Sequence, residues 1–363
     1  MYKRLLSFLR CPTCQGNLEL EALVATETEF GSEVSEGLLH CGGQHWFPVV
    51  GGIPRMLPDS LGAHWPAIAS HIDESAPPAV QTLRDRVRDG RQAGDYDRRT
   101  SENFSLEWQH HEVGDKTWGM ELDDRVQWFF LDSIHIPVDE LDGKTMLDAG
   151  CGNGSQSVAY TRFGLEVVAM DLSEGLENGQ RFRHLLEGSR PDRVHFVQGD
   201  LQSPPLVPGC FDVIHSAGVL HHTPNTKRTF ERLTPLLRPG GTFYVWLYKH
   251  ERVVTPVVNG IRAVTTRIPP AQFARIAAWS AIAFQLFCRA TSALGVRSYP
   301  PLTRREAALA LMDIFGAPHA HAHTYDEVAG WFREEGFDEV WGCNESRRGF
   351  GACARLPRVS SRS

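Results

Sequence analysis

The segment LDAGCGNG sets Gly150, Gly152 and Gly154 directly after a short apolar stretch. Glycines at that spacing let the backbone turn sharply and approach a bound group closely. A helix starting there presents unpaired N–H donors to the same group, and the Asp148 carboxylate stands beside the loop. Seventeen residues past Gly154, the apolar stretch LEVVAMD ends at Asp171, followed by Leu172. A carboxylate at that position can accept hydrogen bonds from two ribose hydroxyls. A third stretch, VHFVQGD, ends at Asp200 and Leu201, an acid able to accept from an adenine amino group and an apolar side chain able to lie against its ring. These residue types at these spacings specify a nucleoside ligand.

Two details favour S-adenosylmethionine over a dinucleotide: the spacing is G-x-G-x-G, not G-x-G-x-x-G, and the leading Asp148 adds a carboxylate. Residues 144 to 248 resemble the class I S-adenosylmethionine-dependent methyltransferase domain, in its ubiquinone/menaquinone methyltransferase-like branch. The matching phrases are LDAGCGNG, Asp171, GDLQ, SAGVLHHTP and LLRPGGTFYV. The resemblance implies an α/β fold, a doubly wound, mostly parallel seven-stranded sheet with its last strand antiparallel, and cofactor at the carboxyl ends of the strands. Ser216, which opens SAGVLHHTP, joins the cofactor set. NFSLEWQHH resembles the aromatic lead-in of such enzymes, which implies Phe104 and Trp108 closing over the cofactor, or packing as core.

Methyl transfer is an in-line displacement, so the enzyme chiefly holds the acceptor in line and removes its proton if it is a hydroxyl or carbon acid. His221 and His222, at the sheet's carboxyl edge, are candidates for that base. Alternation with Ala projects His319, His321 and His323 to one side of an extended segment, as a polar wall over the site with His321 as a catalytic candidate, as a metal site, or as a solvated loop. Tyr248 and Lys249 are further pocket candidates.

Cys11 and Cys14 form a C-x2-C knuckle, and Cys41 and His45 supply a second pair after 26 intervening residues. Zinc takes four N or S ligands in a tetrahedron, so these four are assigned as a structural Zn2+ site, with His40 in reserve. CPTCQGNL and FPVVGGIPRMLP resemble the small zinc-ribbon family that activates tRNA and rRNA methyltransferases, with His45 where that family usually carries Cys. A closed four-ligand site leaves no open position for metal catalysis.

Several elements must position these groups. Residues 1–58 read as the ribbon-like unit, 59–100 as a linker, 101–249 as an aromatic helical lead-in and the core, 250–318 as a helical lid inserted after the fifth strand, and 319–356 as a closing helix and strand pair. A chain of 363 residues with 42% hydrophobic and 22% charged residues builds a sizeable core. Net charge −7 argues against binding nucleic acid through overall charge. Eight cysteines without an export signal do not suggest a disulfide framework, and the longest uncharged apolar run, of 13 residues, is too short to span a membrane. A cytoplasmic location is expected. From residue 252 to residue 305 there is no Asp or Glu but repeated Arg, which suits a buried cap, a peripheral contact at the inner membrane face, a subunit interface or RNA. The expected acceptor is a small, quinone-like, sugar or lipid-linked molecule. The alternatives are an RNA methyltransferase gripping RNA with the ribbon, and a non-catalytic scaffold.

Overall fold

A computed structural model describes residues 1–72, 77–83, 87, 96–109, 111–112, 114–295, 302–346 and 348–358. Two sheets organise the chain. Strands β1 (Leu18–Thr28), β2 (Gly31–Cys41), β3 (Trp46–Val50) and β4 (Ile53–Pro54) form an antiparallel meander at the N-terminus. The second sheet holds β5 (Thr145–Ala149), β6 (Glu166–Asp171), β7 (Val194–Gln198), β8 (Phe211–Ala217), β9 (Leu237–Tyr248), β10 (Glu339–Cys343) and β11 (Gly349–Arg355). Its order is β10-β11-β9-β8-β5-β6-β7. β5 to β9 run parallel, and β11 lies antiparallel between β9 and β10. This is the doubly wound, mostly parallel seven-stranded sheet expected, with its final strand reversed.

Parallel strands are buried on both faces, and alternate residues supply two cores. Along β5, Leu147 enters a core with Val168, Ile214, Phe243 and Phe332, while Met146 enters another with Val167, Phe130, Tyr160 and Phe196. The N-terminal sheet is not a separate bead. Phe8, Leu9, Phe47 and Met56 belong to the same core as Leu206 and Phe211, with Phe8 stacked on Phe211 at 5.8 Å. Residues 55 and 56 extend past β7: Arg55 pairs with Gln198, and the Met56 N–H donates to the Gln198 carbonyl at 2.8 Å. A strand edge that would otherwise offer unpaired groups is thereby covered. The Arg55 guanidinium, 1% exposed, bonds Glu177 at 2.8 Å.

The stretch read as a linker is partly packed structure. Helix α1 (Ser60–Ala69) lies on β3, and Leu61, Ile68, Val80 and Leu83 bury Leu38 and Trp46. Its apolar spacing was masked by Pro, Gly and charge around it; most of LRDRVRDGR lies outside the described residues. Helix α2 (Arg98–Trp108) and the helical run from 122 to 134 form the aromatic lead-in. The sheet's helices include α3 (Ser155–Tyr160), α4 (Leu176–Phe182) and α5 (Thr226–Leu233). After β9 the chain leaves the sheet for α6 (Val254–Thr265), α7 (Pro270–Ala293), α8 (Arg304–Leu311) and the wide turn Met312–Gly316, and it returns through α9 (Tyr325–Glu334) to β10.

Gly154 fixes how closely α3 and α4 sit on the sheet. Its φ is +72°, and a Cβ there would stand 2.5 Å from the Phe196 ring and 2.9 Å from the Gly179 Cα. Gly154→Ala combines a left-handed backbone with overpacking, so it should lower unfolding free energy by about 2–4 kcal/mol. Denaturant unfolding of the variant checks this, and an unchanged midpoint would contradict the packing role.

Candidate active site

Parallel strands β5 and β6 end at the same level, which brings the glycine loop beside Asp171. The Gly152 N–H donates to Asp171 Oδ2 at 2.8 Å, and the Ser173 N–H and hydroxyl donate to Oδ1 at 2.8 and 2.7 Å. Burial pushes the Asp171 carboxyl up, against these hydrogen bonds, and burial likewise raises Asp200. Asp200 follows β7 and accepts from the Gln202 N–H at 2.8 Å.

These groups line one cavity of about 110 Å³. Around it the structure brings together Gly150, Gly152, Asp171, Leu172, Asp200, Leu201, Trp108 and His222, all singled out in the sequence. Trp108 lies across the loop: a Cβ on Gly152 would meet its ring at 3.0 Å, and its carbonyl accepts from the Asn178 amide at 2.6 Å. The α2 that carries it is capped by Asp97, whose Oδ1 accepts from the Thr100 N–H at 3.0 Å. His319 Nε2 bonds Asp97 Oδ2 at 2.8 Å. Burial opposes ionisation of Asp97, but His319 and Thr100 outweigh it and hold the carboxyl at about 2.

Other sequence-assigned groups lie elsewhere. Asp148 sits beneath the loop, accepting from the Ser157 hydroxyl at 2.6 Å and facing His215 Nδ1 at 3.2 Å, because its strand position turns it into the sheet's packing layer. Ser216 is fully buried and donates to the Ala149 carbonyl at 2.9 Å, tying β8 to β5. Gly154 serves packing, as described above. None of the three lines the cavity.

A second, larger chamber of about 470 Å³ adjoins the first; Trp118 and Gly218 line both. Its walls include Trp128, Phe129, Trp246 and Tyr248, and α6 closes it with Val254, Val258 and Arg262. The alternating His-Ala segment is extended and does stack its rings on one side, His321 lying 6.2 Å from His319 and 6.4 Å from His323. It is Ala320 and Ala322 that face the chamber, so His321 is placed away from it. The three rings do not converge on a metal: His319 bonds Asp97, and His323 bonds Glu327 and Thr226, each at 3.0 Å. His221 is also off both cavities, fully buried and packed on Tyr248 at 3.9 Å, with neither ring nitrogen partnered. Burial drives its basicity well down, so it stands neutral.

His222 is different. Its Nδ1 donates to the His319 carbonyl at 2.8 Å, and its Nε2 lies 3.1 Å from Asp313 Oδ1. Tyr248 donates its hydroxyl to Asp313 Oδ2 at 2.6 Å. Burial would raise the Asp313 carboxyl, but His222 and Tyr248 pull it below its ordinary value. With His222 and the Tyr248 hydroxyl both facing it, Asp313 suits the ionised form. Nearby Glu107, 4% exposed, is raised well above the usual carboxylate range, first by burial and then by Asp313 and Asp171.

Sequence reasoning missed Asp313, Arg125 and Trp118. Arg125 lines the smaller cavity, 3% exposed, with its Nη1 donating to Gln156 at 3.3 Å and its Nε unpartnered; burial lowers it to about 10. No motif marked these residues, since each arrives from a distant element.

In the N-terminal unit, the ligand atoms of Cys11, Cys14, Cys41 and His45 all lie within 4.8 Å of one another. Cys14 and Cys41 sulfurs are 3.6 Å apart, and His45 Nδ1 lies 3.3 Å from Cys41 and 3.5 Å from Cys11. His40 stays outside, packed on Trp46 at 4.5 Å.

Residues 147–245 match the family model described as a methyltransferase domain. Among curated relatives, the ubiquinone biosynthesis O-methyltransferase of Xanthomonas euvesicatoria pv. vesicatoria is 36% identical over 107 residues, 29% of this chain and 44% of that one. The demethylmenaquinone methyltransferase of Renibacterium salmoninarum is 31% identical over 130 residues, 36% of this chain and 49% of that one. In both, the match spans less than half of the relative's length. The solved magnesium protoporphyrin IX methyltransferase from Synechocystis PCC 6803 with bound SAH superposes with a TM-score of 0.38 at 17% identity, covering 76% of this chain and 95% of that one. The seven-stranded sheet is Rossmann-like, and the segment 147–245 within it is similar to a methyltransferase domain.

Because the His221 imidazole is neutral when folded and ordinary when unfolded, it favours the unfolded chain as pH falls below 6.5. Stability should therefore decline from pH 7 to pH 5, and His221→Leu should flatten that decline. Unfolding midpoints across this range measure it; an unaltered slope would mean that His221 is solvated or paired.

Proposed function

We propose that this protein transfers methyl groups from S-adenosylmethionine to a small or amphiphilic acceptor held in the chamber behind Trp118. The observation that carries this reading is the pairing of two cavities through Trp118 and Gly218, one rimmed by acids and a glycine loop, the other walled by aromatic rings.

The residues of the smaller cavity fit the donor. Carboxylate oxygens have capacity for several hydrogen bonds, so Asp171 can take ribose hydroxyls while keeping Gly152 and Ser173. Asp200 and Leu201 suit the adenine. Arg125, whose Nε has no partner, suits the donor's carboxylate, since a buried guanidinium gains most from a bidentate anion. S-adenosylmethionine supplies an electrophilic methyl group. The chain's own residues then exclude water through Trp108 and Trp118 and hold the acceptor in line. Asp313 lines the chamber, is kept ionised by His222 and Tyr248, and can orient an acceptor hydroxyl by accepting its hydrogen bond. His222 acts by holding Asp313 from its place between that carboxylate and the His319 carbonyl.

The relatives named above include enzymes acting in quinone biosynthesis, and the aromatic walls suit a planar or prenylated acceptor of that kind. Zinc bound by Cys11, Cys14, Cys41 and His45 would brace the N-terminal sheet against the catalytic one. The observed separations approximate the edges of a tetrahedron with Zn–S of about 2.3 Å, and all four positions are filled by protein.

Three measurements test this reading. Titration calorimetry with S-adenosylhomocysteine should show binding that Asp171→Ala weakens by about 1–3 kcal/mol; equal affinity would remove Asp171 from the site. Methyl-labelled donor incubated with a total lipid extract should label the organic phase, whereas label entering total RNA instead would assign the enzyme to RNA. Metal analysis should find about one zinc per chain, lost in Cys11→Ser with a lowered melting temperature. A metal-free wild-type chain of equal stability would refute the zinc site.

A further inference from the structure

Helix α6, which roofs the chamber, and α7, which follows it, have apolar outer faces. At the start of α6 and along it, Val253, Val257, Ile261 and Val264 follow the three- and four-residue spacing of one helix face, and all are exposed. On α7, Trp279 is 84% exposed, and Ile276, Ile282, Leu286 and Phe287 around it are each about half exposed. The inner faces are already occupied. Val254, Val258 and Arg262 of α6 face the chamber, and Phe273, Ala277, Ala281 and Cys288 of α7 are buried. Scattered exposed apolar residues are ordinary on a protein surface, but two aligned rows on consecutive helices are not.

The charge of this element selects what covers it. The chain carries 44 acidic against 37 basic residues, yet positions 252 to 305 contain no Asp or Glu. Arg252, Arg267, Arg275 and Arg289 are exposed. Arg275 precedes Trp279 by four residues and Arg289 follows Leu286 by three, so both flank the apolar row on its own side of α7.

We propose that the outer faces of α6 and α7 dock on an anionic lipid bilayer, lying in its interface with the apolar rows inserted and the arginines at the phosphates. A second copy of this chain suits the surface poorly, because Arg275 and Arg289 would meet their own equivalents with no acid in the element to pair with. RNA would satisfy the arginines but leave Trp279 and Leu286 in water. Among the described residues, no helix is long and apolar enough to cross a membrane, so the element lies on the bilayer and does not span it. Since α6 is then the wall between lipid and chamber, an amphiphilic acceptor can pass from one to the other; that last step rests on the methyl-transfer reading, whereas the docking does not.

Flotation of the full chain on phosphatidylcholine vesicles, with and without phosphatidylglycerol, tests this. The chain should float only with the anionic lipid and detach at high salt, as screening weakens the arginine contacts. The double variant Trp279→Ser/Leu286→Ser should lose most of the flotation, and so should Arg275→Gln/Arg289→Gln, with melting temperature and S-adenosylhomocysteine affinity unchanged. The emission difference between wild type and Trp279→Phe should shift to the blue on vesicles. No flotation on anionic vesicles, or flotation undiminished in both double variants, would overturn the docking. So would a dimer that Trp279→Ser/Leu286→Ser dissociates, which would give this face to a second copy. Flotation without S-adenosylhomocysteine binding would leave the docking intact and sink the methyl-transfer reading instead.

Discussion

The carboxyl end of the seven-stranded sheet depends on one carboxylate. Asp171 closes β6 and accepts the Gly152 amide from the loop after β5 together with two donors from Ser173. Neighbouring parallel strands end at one level, so this acid and the loop are brought face to face by the sheet itself. Once Gly152 is pinned, Trp108 has a flat bed of backbone to lie on, and a side chain at that glycine would meet the Trp108 ring at 3.0 Å. The same acid is pushed up by burial and held against that push by hydrogen bonds, which leaves it a strong acceptor in a partly dry site.

The second organising constraint joins the lid to the core. His319 bonds the Asp97 cap of α2 while its carbonyl receives His222, and His222 in turn faces Asp313 at the end of the insertion. One extended segment thus positions the helix over the glycine loop and the acid in the chamber. Its histidines act as struts because alternate alanines are the side chains small enough to line the cavity. Burying such polar groups without partners would be costly, and most of those in this segment are paired. Their arrangement sets the relative position of the two cavities.

The N-terminal sheet contributes at longer range. It shares a hydrophobic core with the seven-stranded sheet and covers the edge of β7, and its Cys and His cluster lies in that same unit. Arg55 joins the two parts through Glu177 of α4. The insertion works from the opposite side, closing the chamber with one face of α6 and exposing the other.

Much of this was legible in the amino-acid order because it depends on local spacing. Apolar strands alternating with helices dictate a parallel sheet, glycines mark where the backbone must turn, acids at strand ends fall at the sheet's rim, and paired Cys and His on two turns come together. Position along one strand or loop suffices for such features. The sequence did not disclose which side of the sheet Asp148 and Ser216 take up, nor that the alanines of the His-Ala segment would face the cavity. Nor did it disclose that Asp313 and Arg125, from elements far apart in the chain, would complete the site. Those outcomes are decided by how side chains from distant segments pack into shared space, where burial and mutual hydrogen bonding choose the neighbours. That choice exists only once the whole chain is folded.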